Sequence, residues 1–302
     1  MNNTGERSAR QTPAVNWLFD TLTVIVLYQT KLSDSVTFQS LRAAVQRGNP
    51  ARSVDLMICD NSPVAQPLPD QPDDEPLFNL YYLHDASNPG VSRSYNRAAE
   101  LANVKAKRWV WLLDQDTLIP ADGLQHYRQA VTTYAGYPLY APQVYGGTAL
   151  FSPCRYWFRR GSNLPAIQPG VHQTAHRNVL NSGLLIDLDA FGRAGGYDER
   201  VPLYFSDFVF FDRLKKQFGA FVVLECRVEH ELSSADFRDA TLAATRFGYY
   251  CRGAKQASLG NGRAYWEYAI TVGLRSLLMS YRFRSLRFAA LFVRNFVFYT
   301  VD

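Results

Sequence analysis

The sequence predicts an α/β fold in which helices flank a mostly parallel central sheet, and three consecutive segments predict it. Residues 21–28 (TLTVIVLY) form a short, β-branched and apolar run that is typical of a buried strand. Residues 36–47 repeat apolar side chains at helical spacing, and residues 54–59 form a second apolar run. A strand, a helix and a strand in close succession indicate parallel strands joined by a right-handed crossover.

The following segments extend this sheet to a polar edge. Residues 63–76 hold five prolines and four acids and therefore predict a surface loop. Residues 77–83 predict a third strand, residues 92–104 a helix, and residues 108–113 (RWVWLL) a fourth strand. The fourth strand ends at Asp114-Gln115-Asp116, and the carboxyl ends of strands are where open α/β sheets bind ligands.

Signals in the second half of the chain are weaker. After the fourth strand the pattern predicts a helix over 123–134, a strand over 138–144, an irregular region over 146–173, a strand over 178–187, a helical turn over 189–192, a helix over 207–218, a strand over 221–225 and mainly helix beyond 233. The polar start of the chain predicts a flexible N-terminus over 1–16. We therefore expect one α/β domain over 17–235 and a helical C-terminal region over 236–302.

Composition excludes several classes of protein. The four cysteines are scattered, which argues against a disulfide scaffold and against a cysteine zinc site. No export signal is evident, and the late apolar stretches are interrupted by Arg275 and Arg294, so we expect no membrane-spanning helix. These features favour a cytoplasmic protein, either free or peripheral on the inner face of the membrane.

The C-terminal region is strongly basic. Residues 246–302 carry nine Lys and Arg against two acids, and aromatic and leucine side chains lie between them. This pattern is typical of an amphipathic helix on an anionic membrane surface, and a helical face packed on the protein with its arginines in water explains it equally well. No nucleic-acid-binding motif accompanies the charge, so we expect no nucleic-acid partner.

Asp114 and Asp116 are the sharpest chemical feature. Two carboxylates at the end of a buried strand can present oxygen ligands to Mg²⁺ or Mn²⁺, which binds diphosphate oxygens while keeping several waters. Such a cation neutralises a leaving diphosphate. An acidic pair of this kind is also common in ordinary loops, so the neighbouring motifs decide its interpretation.

An ordered set of motifs surrounds this pair: VIVLYQ, ICDNS, NPGVSRSYN, LLDQD, NSGLLID, GGYDE, YFSDFVFFDRLKK and VEH. Their order over residues 22–232 resembles the family 2 glycosyltransferases of GT-A fold, in particular the bacterial rhamnosyltransferase-like branch. The resemblance implies a Rossmann-like GT-A domain with a nucleotide-sugar half over 20–120 and an acceptor half over 121–235.

The resemblance also implies roles for individual residues. Donor binding is expected at Tyr28, Asp60, Asn88, Gly90, Arg93, Asn96, Asp114 and Gln115. Metal binding is expected at Asp114, Asp116 and His230. Acceptor binding is expected at Asn181, Ser182, Gly183, Gly196, Tyr197, Asp198 and Glu199. Asp207 is the expected general base, with the alternative that it only caps a helix, and Asp198 and Glu199 are further candidates for the base.

The implied activity is an inverting, metal-dependent transfer of a sugar from a nucleotide diphosphate. The branch favours dTDP-rhamnose as donor and a growing cell-surface glycan, free or lipid-linked, as acceptor. Three alternatives remain: a UDP-sugar transferase of galactofuranose type, a non-catalytic relative that binds nucleotide sugar or glycan, and a sugar-phosphate nucleotidyltransferase. The last is disfavoured because the segment QTKLSDS after the first strand contains no glycine.

Overall fold

The computed structural model describes residues 17–68, 76–230 and 239–300, so the N-terminus predicted to be flexible lies outside the described residues. The sheet begins with four strands: β1 (Thr21–Leu27), β2 (Val54–Asp60), β3 (Phe78–His84) and β4 (Trp109–Asp114). They pair in parallel in the order β3, β2, β1, β4. All residues of β1 and β2 are buried, as expected for parallel strands covered on both faces.

Two helices cover opposite faces of these strands. Alternate residues of β1 belong to different core clusters, because successive strand side chains point to opposite faces. Val24 lies in the cluster that contains helix α2 (Val91–Val104), and Ile25 lies in the cluster that contains helix α1 (Val36–Gly48). The predicted strand–helix–strand unit is therefore confirmed.

Further strands extend the parallel core, mostly in antiparallel pairs. The remaining elements of the domain are β5 (Thr117–Leu118), α3 (Gly123–Thr133), β6 (Leu139–Gly146), β7 (Ala149–Trp157), β8 (Arg160–Leu164), β9 (Gly170–Gln173), β10 (Arg177–Asn178), β11 (Leu184–Asp187), α4 (Leu188–Arg193), α5 (Ser206–Leu214) and β12 (Ala220–His230). β11 is antiparallel to both β4 and β6. The predicted α/β fold with a central sheet and flanking helices is confirmed.

The prediction of an irregular region over 146–173 is wrong. Most of this segment folds into β7, β8 and β9, which pair antiparallel with β6, β7 and β12 respectively. Exposed and half-exposed residues predominate in β8, so the apolar alternation that marks a strand is missing there. The predicted strand over 178–187 is instead two strands, β10 and β11, separated by a turn.

Strand β12 is the last strand of the domain, and its C-terminal end lies next to β5, just beyond the carboxyl end of β4. It pairs in parallel with β6 and antiparallel with β5, and its register with β6 shifts between Val223 and Arg227. The pairing with β5 places His230 opposite Thr117, the residue after the acidic pair. Strand pairing therefore brings the distant VEH motif next to Asp116.

The C-terminal region is helical, as predicted. Its helices are α6 (Ala240–Ala257), α7 (Gly262–Arg282) and α8 (Arg287–Phe292), followed by a π-helical turn, Val293–Val297. Side chains of Asp239 and Asn261 accept hydrogen bonds from the first turns of α6 and α7, which explains where these helices begin. No helix among the described residues is long and apolar enough to cross a membrane.

Candidate active site

Asp114 ends β4 with both carboxylate oxygens held by hydroxyl groups. Tyr95 of α2 donates to its Oδ1 at 2.8 Å, and Ser182, which lies just before β11, donates to its Oδ2 at 2.6 Å. Burial raises the pKa of Tyr95 well above its ordinary value, so its hydroxyl stays a donor. Each carboxylate oxygen has two lone pairs, so the orientation of Asp114 is fixed while acceptor capacity remains.

The backbone around Gln115 is fixed by the start of α1. Hydroxyls of Ser35 and Thr37 donate to the carbonyl oxygens of Gln115 and Asp114 respectively, the first at 2.7 Å. The Gln115 side chain accepts a hydrogen bond from the backbone N–H of Tyr28 at 2.8 Å. These bonds tie the end of β1 to the acidic pair. The side chain of Tyr28 is 43% exposed, which leaves its ring available to a flat ligand.

Asp116 and His230 face each other beside this turn. Nδ1 of His230 lies 3.2 Å from Oδ1 of Asp116, and it is a buried nitrogen without a well-directed hydrogen bond. Burial of the ring opposes protonation, but the contact with Asp116 and the charges of Asp114 and Asp116 outweigh it and raise the pKa of His230. The Asp116 carboxylate is 39% exposed and so is accessible from solvent.

These side chains fit part of a divalent cation site. Within residues 17–68, 76–230 and 239–300, no three His, Cys, Asp or Glu side chains form a complete metal cage. A diphosphate-bound Mg²⁺ or Mn²⁺ needs only one or two protein carboxylates, because phosphate oxygens and water fill the other positions. The exposed carboxylate of Asp116 is the type of oxygen donor that suits Mg²⁺ or Mn²⁺, and the unsatisfied Nδ1 of His230 lies beside it as a further donor.

Asp207 is the second residue of α5 and is half-buried. One of its oxygens, Oδ1, accepts the backbone N–H of Phe208 at 2.8 Å. Burial, and then the negative charge of Asp114, raise the pKa of Asp207 to about 7. Phe205 occupies the N-cap position of α5, so Asp207 is not the helix cap. A carboxylate with a pKa near neutral pH is suited to general base catalysis.

The other two acids considered as the base are held in ion pairs. Asp198 Oδ2 lies 2.7 Å from Arg200 and 2.6 Å from Arg213. Hydrogen bonding to Arg200 is the main cause that lowers the pKa of Asp198. Glu199 contacts Arg93 at 2.9 Å and Asn96 at 3.1 Å, and these contacts lower its pKa. Both acids are therefore weaker bases than Asp207 in this arrangement.

Asp60 organises the loop after β2. Its buried carboxylate accepts backbone N–H groups of Ser62 at 2.9 Å and Gln66 at 2.7 Å, and the Tyr82 hydroxyl at 2.6 Å. Burial alone would raise the pKa of Asp60, but these hydrogen bonds lower it. A ligand that reached Asp60 would compete with them, so base recognition by Asp60 stays a prediction.

The NPG and asparagine motif contacts the segment 197–202, which lies between α4 and α5. At Gly90, where φ is +84°, an added Cβ would lie 2.3 Å from the carbonyl oxygen of Pro202. Asn96 donates to the carbonyl of Tyr197 at 3.0 Å and accepts its N–H at 2.9 Å. Asn88 has a φ of 50° in the preceding turn. These contacts position the motif, and direct donor contacts by its members stay predictions.

Most residues expected to bind the acceptor are buried. Asn181, Ser182, Gly183, Gly196 and Tyr197 are all buried. The Asn181 side chain accepts the Tyr197 hydroxyl at 2.6 Å, and the Tyr197 ring stacks on Phe210 with centroids 4.3 Å apart. Ser182 instead contacts Asp114. Asn181, Ser182 and Tyr197 thus make contacts within the protein, and contact of these five residues with an acceptor stays a prediction.

A cavity of about 290 Å³ lies beside Pro89, at the carboxyl ends of β2 and β3. Arg93 and Arg97 of α2 line it together with Asn61, His84 and other residues. Arg93 was predicted from the sequence as a donor-binding residue, whereas Arg97, which lines the same cavity, was not. The sequence also did not predict the three hydroxyl groups that contact the acidic pair, those of Tyr95, Ser35 and Thr37. Tyr95 directly precedes Asn96, but its contact with Asp114 depends on how α2 packs against β4.

Comparison with known proteins supports the fold. No family model and no curated protein matches the sequence. The crystal structure of GalNAc-T7 with UDP, GalNAc and Mn²⁺ is 13% identical; the match covers 93% of this chain and 57% of that one, with a TM-score of 0.56. The crystal structure of S. aureus TarS 1-349 in complex with UDP-GlcNAc is 12% identical, with 91% and 89% covered and a TM-score of 0.50.

Both neighbours belong to the GT-A glycosyltransferases. At these identities the likeness concerns architecture, and it does not confirm the rhamnosyltransferase-like branch. The predicted GT-A architecture accounts for the parallel strands, the polar carboxyl edge and the flanking helices described above. The chain therefore has the GT-A fold.

Proposed function

We propose that this chain is a metal-dependent glycosyltransferase that takes a sugar from a nucleotide diphosphate. The observation that carries the proposal is the arrangement at one sheet edge: Asp114 anchored by two hydroxyls, Asp116 beside His230, and Asp207 with a pKa of about 7. The GT-A fold and the UDP, UDP-GlcNAc and Mn²⁺ in the neighbouring structures support it.

In this proposal the acidic pair and His230 hold Mg²⁺ or Mn²⁺. When bound, the cation neutralises charge that develops on the departing diphosphate. Asp207 takes the proton from the acceptor hydroxyl as that oxygen attacks the anomeric carbon from the face opposite the diphosphate. The new C–O bond forms as the bond to the diphosphate breaks, so the anomeric configuration inverts.

The donor is proposed to be a pyrimidine nucleotide sugar. The exposed ring of Tyr28 at the end of β1 offers a stacking surface for a flat base. The motifs favour dTDP-rhamnose, whereas the neighbours with UDP and UDP-GlcNAc favour a UDP sugar. The proposed acceptor is a growing cell-surface glycan, free or lipid-linked.

Thermal unfolding tests the proposal directly. UDP, dTDP and GDP are each added with and without Mn²⁺, to the wild type and to Asp116→Ala. A ligand that binds only the folded state raises the unfolding temperature by mass action. We expect one pyrimidine diphosphate to raise it only with Mn²⁺ and only in the wild type. No shift with any nucleotide would contradict the proposal.

A single-turnover assay separates a transferase from a non-catalytic relative. The nucleotide sugar with the selected base is incubated with excess protein, and the release of nucleoside diphosphate is followed as the sugar is transferred to an acceptor or to water. Release that Asp207→Asn slows supports the transferase. Binding without release would favour a protein that only recognises nucleotide sugar.

A further inference from the structure

Helix α7 exposes a row of large apolar side chains, here called the outer face. Its members recur at spacings of three or four residues, apart from the adjacent pair Leu277 and Leu278, and are each at least 49% exposed: Trp266, Ile270, Leu274, Leu277, Leu278 and Tyr281. At 1.5 Å per residue the row is about 22 Å long. Leu286 and Phe298, in the segments that follow, are 82% and 75% exposed.

The opposite side of α7 already packs on the protein. Ala264, Tyr268, Val272 and Met279 are buried in the C-terminal core. A surface helix normally turns polar residues to water once its apolar side is buried. Since α7 is apolar on both sides, its outer face is a contiguous patch of the kind that marks an interaction site.

The charge around the outer face is positive. Arg284, Arg287 and Arg294 are exposed near its C-terminal end. Glu267 is the one acid between residues 246 and 300, and its carboxylate contacts Arg159 and Arg263, both at 2.9 Å. The region therefore combines exposed apolar side chains with arginines and no uncompensated acid.

We propose that the outer face docks on a lipid bilayer with anionic headgroups. Leucine and isoleucine side chains would enter the acyl boundary while the arginines contact the headgroups. Trp266 and Tyr281, at the two ends of the row, have the amphipathic rings that favour this interface. A second copy of the chain is a poorer occupant, because it would bring two basic faces together.

The outer face is connected to the candidate active site. Arg159 contacts both Glu267 of α7 and Asp212 of α5, and Tyr268 packs edge-on against Phe205 at the start of α5. Helix α5 carries Asp207, the proposed general base, so docking would hold Asp207 at a defined position relative to the bilayer. Vesicle binding needs no nucleotide, so this inference is testable apart from the proposed function.

Sedimentation with vesicles tests the inference. We expect the purified chain to bind vesicles of phosphatidylcholine and phosphatidylglycerol at least tenfold more tightly than vesicles of phosphatidylcholine alone. The variants L274S/L278S/Y281S and R284E/R287E should each bind the anionic vesicles at least tenfold more weakly than the wild type. Matched controls on α2 and α1, V104S and R42E/R47E, should bind like the wild type.

Folding and self-association are measured on the same samples. Because the substituted residues are exposed, each variant should unfold at a temperature close to that of the wild type. A loss of vesicle binding would then come from the altered surface and not from unfolding. Wild-type protein that stays in the supernatant, equal binding to both vesicle types, or full binding by L274S/L278S/Y281S would overturn the proposal. Light scattering that shows a dimer lost in that variant would assign the outer face to a second copy instead.

Discussion

Two carboxylates at the candidate site, Asp114 and Asp207, have opposite surroundings. Asp114 ends a strand and accepts two hydroxyl hydrogen bonds, from Tyr95 and Ser182. Asp207 begins a helix and accepts one backbone N–H, while burial and the charge of Asp114 raise its pKa to about 7. In the proposed function these environments give two residues of the same type different roles: Asp114 holds a cation and Asp207 moves a proton.

The largest expected effect comes from removing the proton acceptor. Asp207→Asn keeps the size of the side chain but cannot take a proton, so kcat should fall about 10²- to 10⁴-fold. The affinity for nucleoside diphosphate with Mn²⁺ should stay within about twofold, because Asp207 is not among the expected metal ligands. Asp189→Asn, an exposed acid on α4, is the matched control and should keep full activity. Unchanged turnover by Asp207→Asn would remove Asp207 from the mechanism.

A smaller effect is expected when one hydrogen bond to Asp114 is removed. Tyr95→Phe leaves the ring in place and frees Oδ1 of Asp114 to reorient. Residues that orient metal ligands typically contribute about 10- to 100-fold to metal affinity or activity, so Mn²⁺-dependent UDP binding should weaken by about that factor. Calorimetric titration measures it.

Tyr140→Phe is the control for this substitution. Tyr140 is also buried, and its hydroxyl donates to the Tyr134 carbonyl, which is no part of the candidate site. Its Mn²⁺ dependence should match the wild type. If Tyr140→Phe and Tyr95→Phe weakened binding equally, the loss would reflect general stability and not the orientation of Asp114.

The last effect concerns pH and needs no substitution. The raised pKa of Asp207 predicts a single-turnover rate that rises about tenfold per pH unit below pH 7 and levels off above it.

The same raised pKa predicts a change in stability. Because Asp207 then holds its proton more tightly in the folded state than in the unfolded state, the folded state binds more protons between pH 4 and 7, and Asp207 should reduce stability as pH rises through this window. The unfolding temperature of Asp207→Asn, measured relative to that of the wild type at the same pH, should therefore be higher at pH 8 than at pH 5. An equal difference at both values would contradict the raised pKa.

Part of this site could be predicted from the sequence. Each of the residues Tyr28, Asp60 and Asp114 follows an apolar run, and the carboxyl ends of parallel strands lie at one edge of a sheet, which agrees with the donor-binding role that the resemblance implies for all three. The pairing that brings His230 to Asp116 was not evident from spacing, since it depends on a strand whose register shifts midway. A family resemblance supplied that expectation.

Other features could not be predicted because they depend on packing. Pro202 is the neighbour that an added Cβ at Gly90 would meet, and the two residues are far apart in sequence. The carboxylate of Asp60 was expected to meet a ligand, yet three groups of its own loop and sheet occupy it. Strand β8 was not predicted, because exposed residues predominate in it and the alternation of apolar and polar side chains that marks a strand is missing.

The most direct test of the division of roles between the acidic pair, Asp114 and Asp116, and Asp207 is a calorimetric titration of UDP, in the presence of Mn²⁺, into the wild type, Asp116→Asn and Asp207→Asn. The substitution at Asp116 should weaken binding at least tenfold, since it removes the exposed carboxylate beside His230. The substitution at Asp207 should leave binding unchanged. Equal losses in both variants, or no loss in Asp116→Asn, would contradict the division of roles.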